Sequence, residues 1–171
     1  MIFRETELPG CFIVESEPIV DERGSFARTF SADEFERLGL NPSISQVSVS
    51  RNVKVGTLRG LHYQLPPHEE AKLVRCTRGR VFDVAVDLQE HRWTAVELSE
   101  DNGLSLYIPE GFAHGFLTLE PDSELLYQIS VPYVAAASGG IRWDDASLAI
   151  GWPSTPTLTI SDRDRTLPTL R

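Results

Sequence analysis

Residues 80–88, Arg80-Val81-Phe82-Asp83-Val84-Ala85-Val86-Asp87-Leu88, alternate with a period of two. Phe82, Val84, Val86 and Leu88 share one face, and Asp83, Ala85 and Asp87 share the other. A strand with one apolar layer accommodates this pattern, and both carboxylates then point away from that layer. Similar short runs at 11–16, 45–50, 72–77, 95–98, 105–108, 115–119 and 124–130 are separated by turn clusters such as Pro109-Glu110-Gly111 and Glu120-Pro121-Asp122. Many short strands divided by turns predict an all-β sandwich or barrel. One helix is expected near 31–38, with Ser31 as its cap, Glu34 reaching back to it, Phe30 and Phe35 as a staple, and Gly39 as the left-handed stop. Beyond Gly139 the pattern loosens into a Pro/Thr-rich tail, read as a segment packed on the barrel.

Composition narrows the classes. A length of 171 residues with 41% apolar and 24% charged side chains suits one domain over 1–171, without repeats or linkers. The two cysteines, Cys11 and Cys76, allow at most one disulfide, and no secretion signal is read at the N-terminus, so a cytoplasmic setting is expected. No apolar run approaches the ~20 residues of a membrane span. The net charge of −9 argues against nucleic-acid or anionic-membrane partners. Residues 51–80 depart from that average, with seven cations against Glu69 and Glu70, or +5, leaving −14 for the remainder. A local basic island suits a small anionic ligand.

The chemistry-bearing residues are spread along the chain. His62, His68, His91 and His114 lack the His-x-His spacing with a following Glu that a barrel metal site draws on. Phosphate-loop, nucleophile-elbow and Cys-x-x-Cys motifs are also absent, so neither a metal nor a cofactor is expected. A general acid–base set remains. In Gly56–Gln64, strand parity puts Leu58, Gly60, His62 and Gln64 on one face and Arg59 on the other, unless a bulge at Gly60 re-aims it. Lys72 follows ten residues after His62. His114 shares a face with Phe112 and Phe116, and Tyr127 with Leu125 and Ile129. Taken singly, each of these His and Tyr residues reads more simply as a hydrogen-bonded core residue.

Together, however, several segments resemble the dTDP-4-dehydrorhamnose 3,5-epimerase family in order and nearly in spacing. They include Asp21–Phe26, Gly56–Gln64, Lys72–Arg75, Phe82–Asp87, Ile108–Phe116, Ile141–Asp145, Trp152-Pro153 and Ile160–Asp164, and they span about residues 4–168. The resemblance implies a cupin-type jelly roll with one or two short peripheral helices, working without metal, and a homodimer. It implies His62 as base, Asp164 as the carboxylate orienting it, Tyr127 as proton donor, and Lys72 beside the keto oxygen of the sugar. Arg59 and His114 match ligand-contacting positions, Arg23, Phe26 and Gln46 line the nucleotide or sugar, and Tyr133 stacks on thymine.

The departures from the family fall on binding positions. Arg28 stands where many members have Glu, Ser48 where Asn is common, and Arg163 where Lys is usual. No acid aligns near Ala137-Ser138, and the 87–93 loop is short. The implied activity is epimerisation of a dTDP-linked 4-keto-6-deoxyhexose at C3 and C5. The alternatives are a C3-only epimerase and, from another class, a nucleotide-sugar-binding cupin without catalysis; a metal-dependent cupin enzyme ranks behind both.

Overall fold

Both faces of the alternating strand are buried. The computed structural model describes residues 1–170. Its strands are β1 (Ile2–Glu5), β2 (Phe12–Glu15), β3 (Ile19–Asp21), β4 (Gly24–Phe26), β5 (Gln46–Asn52), β6 (Leu58–Gln64), β7 (Lys72–Arg78), β8 (Arg80–Asp87), β9 (Arg92–Ser99), β10 (Leu104–Ile108), β11 (Phe112–Thr118), β12 (Ser123–Ile129) and β13 (Ser138–Gly140). Two short helices, α1 (Ala32–Arg37) and α2 (Asp162–Arg165), lie outside the sheets. A six-stranded sheet in the order β1-β2-β10-β7-β12-β5 and a five-stranded sheet in the order β13-β6-β11-β8-β9 make the two walls of a cupin-like sandwich, and β3 and β4 form a separate hairpin.

On β8, Val84 and Val86 pack outward with Leu61, Ile141 and Leu148, under the cover of Trp93, Ile150 and Trp152. The C-terminal segment therefore closes the outer face of the five-stranded sheet, as its apolar residues predict. The other face of β8 enters the space between the sheets, where Ala85 joins Val74, Leu98, Leu106, Phe116 and Leu125. Asp83, on this inner face, is fully buried. Alternation thus identifies the two faces of β8, but its carboxylate faces a second core and not solvent.

The helix near 31–38 forms with a different cap. Ser31 adopts an extended conformation and makes no side-chain cap bond. Glu34 instead holds the N-terminal ammonium of Met1 at 3.3 Å and Arg28 at 3.5 Å, since both cations lie within its reach. The staple is present, with Phe30 and Phe35 ring centroids 4.9 Å apart. Gly39, at φ +72°, ends the helix, and the Leu40 N–H bonds back to the Phe35 carbonyl at 3.0 Å.

The cations of 51–80 do not form one patch. Arg51 pairs with Glu124 at 2.7 Å, Arg80 reaches Glu120 at 3.1 Å, and Arg75 bonds Ser16 and the Gly103 carbonyl. Adjacency in sequence is lost because successive strands enter different sheets and alternate residues face opposite ways. Arg59 and Lys72 alone of these cations line the central cavity.

Candidate active site

Strand β6 carries two of the polar groups, and its irregularity decides where they point. His62 pairs with His114 on β11 while Arg59 pairs with Phe116, so three steps on β6 oppose two on β11. The extra residue is a bulge at Gly60, which turns Arg59 to the same side as His62. Gly60 sits at φ +122°, and a Cβ there would lie 2.6 Å from Gly115 Cα and 2.8 Å from the His114 carbonyl oxygen. Gly115 faces it with equally little room, since a Cβ there would lie 2.8 Å from the Arg59 carbonyl oxygen. The two glycines let the strands approach where any side chain would part them.

A cavity of about 320 Å³ between the sheets is lined by Arg59, His62, Lys72, His114, Tyr127 and Tyr133, with Ser48, Glu70, Ser138 and Arg163 completing its polar wall. A second cavity of about 450 Å³ lies on the other flank of His62, against Thr57, Thr159, Ser161 and Asp164, and shares Arg59 and Arg163 with the first. His62 and His114 come from the five-stranded sheet, Lys72 and Tyr127 from the six-stranded one. Acid–base groups therefore stand on opposing walls of one chamber.

His62 Nε2 lies 2.8 Å from Asp164 Oδ1. Asp164 is buried on α2, where its own N–H bonds to the Ser161 side chain, and its Oδ2 accepts from the Gly60 N–H at 3.3 Å. A carboxylate on Nε2 keeps that nitrogen as donor and leaves Nδ1 as acceptor. Burial is the main influence holding the His62 pKa below its ordinary 6.5; Asp164 opposes it, and the nearby Lys72 and Arg163 cations lower it further. The imidazole is thereby neutral and basic at neutral pH. Burial also pushes the Tyr127 phenol well above its usual 10, with Asp83 adding to the rise, so Tyr127 keeps a proton to give. Its ring meets His114 edge-on with centroids 5.8 Å apart.

Two carboxylates that the sequence patterns did not single out join the site. Asp83 Oδ1 lies 2.8 Å from His114 Nε2, fixing the orientation of a second histidine, itself buried. Glu70 Oε1 lies 2.9 Å from Lys72 Nζ. The available signals were an acid inside an apolar strand for Asp83 and an i, i+2 charge pair for Glu70. Among the described residues no three His, Cys, Asp or Glu side chains gather as a metal site would need.

Four expected binding residues, Arg23, Phe26, Arg28 and Gln46, are not among those lining either cavity. Arg23 and Phe26 line a surface cavity on the β3–β4 hairpin, where Arg23 pairs with Asp21 and Phe26 is 76% exposed. Arg28 is exposed and engaged with Glu34. The hairpin belongs to neither large sheet, and among the described residues lining the central cavity Arg23 and Phe26 do not occur. Gln46 lies at the start of β5, its Oε1 accepting the Tyr133 N–H at 3.2 Å, and Arg163 donates to Ser138 Oγ at 2.8 Å.

The family model described as dTDP-4-dehydrorhamnose 3,5-epimerase matches residues 5–171. The dTDP-4-dehydrorhamnose 3,5-epimerase of Escherichia coli K12 is 43% identical, covering 96% of this chain and 92% of its own length. The crystal structure of the enzyme from Elizabethkingia anophelis NUHP1 superposes with a TM-score of 0.95 at 38% identity, covering 99% of this chain and 96% of the other. A Legionella pneumophila dTDP-6-deoxy-D-glucose-3,5-epimerase in complex with dTDP-4-keto-L-rhamnose gives 0.93 at 35% identity, covering 99% and 92%. ChmJ, a 3'-monoepimerase from Streptomyces bikiniensis in complex with dTDP-quinovose, gives 0.89 at 31%, covering 96% and 86%. A match over nearly the whole chain, at these identities and with this fold, means that the chain belongs to the dTDP-4-dehydrorhamnose 3,5-epimerase family and is an epimerase.

Proposed function

We propose that residues 1–171 act as one domain that converts dTDP-4-dehydro-6-deoxy-D-glucose to dTDP-4-dehydro-L-rhamnose by inverting C3 and C5. The carrying observation is the convergence of the His62–Asp164 pair, Tyr127 and Lys72 on one chamber, with base and donor on opposing sheets. The 4-ketone acidifies the hydrogens at C3 and C5. His62 Nδ1 takes one as a proton, and the C–H electron pair moves through the adjacent C–C bond onto the keto oxygen. Lys72 stabilises that enolate charge, which is where a fixed cation gains most over the ground state. Tyr127 then delivers a proton to the opposite face of the same carbon, and solvent restores both groups. In this reading Arg59, His114, Ser48 and Arg163 contact the ligand, Gln46 lines the nucleotide or sugar, and Tyr133 stacks on the base. A binder without catalysis has no use for a proton donor set across from a base.

A second copy of the chain completes the site in this reading. Arg23 and Phe26 match ligand-lining positions yet project away from their own cavity. On the hairpin Ile19 is 74% and Phe26 76% exposed, and the edge strand β5 beside the chamber leaves Val47 and Val49 uncovered. A homodimer in which each hairpin covers the partner's β5 edge buries all of these. Sedimentation at micromolar concentration is expected to show two-chain particles, with Phe26→Asp dissociating them and lowering activity; a fully active monomer overturns it. The free, buried Cys11 and Cys76 suit a cytoplasmic setting, and among the described residues no helix is long and apolar enough to cross a membrane.

The experiment is NMR of the nucleotide sugar in D₂O with catalytic protein. Deuterium is expected at both C3 and C5 with inversion. Incorporation at C3 alone identifies the mono-epimerase that the likeness to ChmJ keeps in view, and none at either position overturns catalysis on this substrate.

A further inference from the structure

Around Lys72 the chain alternates cleanly. Ala71 and Leu73 face the cluster formed by Phe35, Leu40 and Tyr107, so Glu70 and Lys72 share the other face and both line the active-site cavity. The segment is pinned to Ser130, whose Oγ accepts the Ala71 N–H at 2.8 Å and whose N–H bonds the Ala71 carbonyl at 3.0 Å. Both charged side chains are at least nine-tenths buried. Glu70 Oε1 is 2.9 Å from Lys72 Nζ, and the same ammonium donates to the His62 backbone carbonyl at 3.3 Å. Among the described residues Glu70 Oε2 is buried with no hydrogen-bond partner, and Lys72 is the one cation paired with this carboxylate.

An ammonium has three N–H donors. Two are occupied here, and with a tetrahedral nitrogen two fixed bonds set the direction of the third. We infer that Glu70 is a positioning residue for proton transfer: together with the His62 carbonyl it aims the remaining N–H of Lys72 at the keto oxygen that gains charge in the enolate. This rests on the role proposed above for Lys72. Without Glu70 the four-carbon stem regains its rotamers, and the cation spends time away from the oxygen it must meet. Misplacement on the ångström scale costs roughly a hundredfold in rate. The loss belongs to the chemical step, because the nucleotide and pyrophosphate are held by other residues.

The test measures deuterium incorporation at saturating substrate, KM, and the melting temperature of full-length variants. Glu70→Ala is expected to slow exchange on the order of ten- to a hundredfold, with KM within about threefold of the parent. Glu70→Gln, which keeps an acceptor at the same reach, is expected to recover most of the rate. Glu70→Asp, one methylene shorter, falls with Ala and decides the matter if the Ala variant does not fold. In a Lys72→Met background the Glu70 substitutions should slow exchange no further, since Glu70 acts through Lys72. Unchanged exchange in folded Glu70→Ala or Glu70→Asp, a Gln variant no better than Ala, or an undiminished Glu70 effect beside Met overturns the inference. An inactive parent protein removes the epimerase reading and this inference with it, whereas an active parent with indifferent Glu70 variants removes the inference alone.

Discussion

His62 Nε2 and Asp164 Oδ1 are 2.8 Å apart although 102 residues separate them in the chain. The contact exists because the C-terminal segment folds back on β6: the Leu58 N–H bonds the Thr159 carbonyl at 2.8 Å, and α2 follows at once with its Ser161 cap. Asp164 therefore arrives already oriented, and its second oxygen holds the Gly60 bulge. His62→Ala should lower deuterium exchange by on the order of 10²- to 10⁴-fold, the usual worth of a proton-transfer partner. Asp164→Asn should cause a smaller loss, because the imidazolium loses its counter-charge while Nδ1 remains. NMR exchange rates on folded protein check both.

Acid should inhibit before alkali does. On the proposed assignment the base is neutral His62, whose pKa is held below 6.5, so the rate should rise with pH through that lower value and level off above it. Donor function needs protonated Tyr127, whose pKa is raised well above 10, so ionisation of this phenol takes no activity away between neutrality and pH 9. A kcat/KM profile between pH 5 and 9, with circular dichroism to confirm folding at each point, tests the sign. A maximum below pH 6 with decline toward neutrality contradicts it.

Tyr127→Phe separates the two halves of the reaction. On the proposed assignment His62 still removes and returns a proton on its own face, while the other face has lost its donor. Deuterium should enter with retained configuration and the epimerised sugar should fall by about 10²-fold or more. Loss of exchange and inversion together would make Tyr127 part of deprotonation as well.

Gly60→Ala should damage both fold and site. The added methyl meets Gly115 Cα at 2.6 Å and sits at φ +122°, a conformation worth roughly 1–3 kcal/mol of strain for a side-chain-bearing residue. Those neighbours are backbone and cannot swing aside, so β6 must move from β11 and carry His62 with it. A lower urea midpoint together with lost exchange is expected.

Leu98→Ala tests the core apart from the chemistry. Leu98 is fully buried between the sheets and does not line the active-site cavity. Its truncation should cost about 2–5 kcal/mol in urea unfolding while exchange per folded molecule stays near the parent rate.

Period-two alternation and turn chemistry are local properties, and they suffice to locate most strands: the run at 105–108 falls in β10, 124–130 in β12, and 72–77 in β7. The ordered set from Asp21 to Asp164 points to the epimerase family, and through it to His62, Lys72, Tyr127 and Asp164. Tertiary structure decided what depends on the partner strand. Parity sends Arg59 away from His62, and only the register of β6 against β11, with three residues opposing two, returns it. Asp83 and Glu70 became site residues because the folded sheets bring His114 and Lys72 within hydrogen-bond reach of these buried carboxyl groups. Arg23, Phe26 and Arg28 left the site for the complementary reason. They sit on a hairpin and a connecting segment outside both large sheets, and a motif match carries no information about which chain such a segment covers.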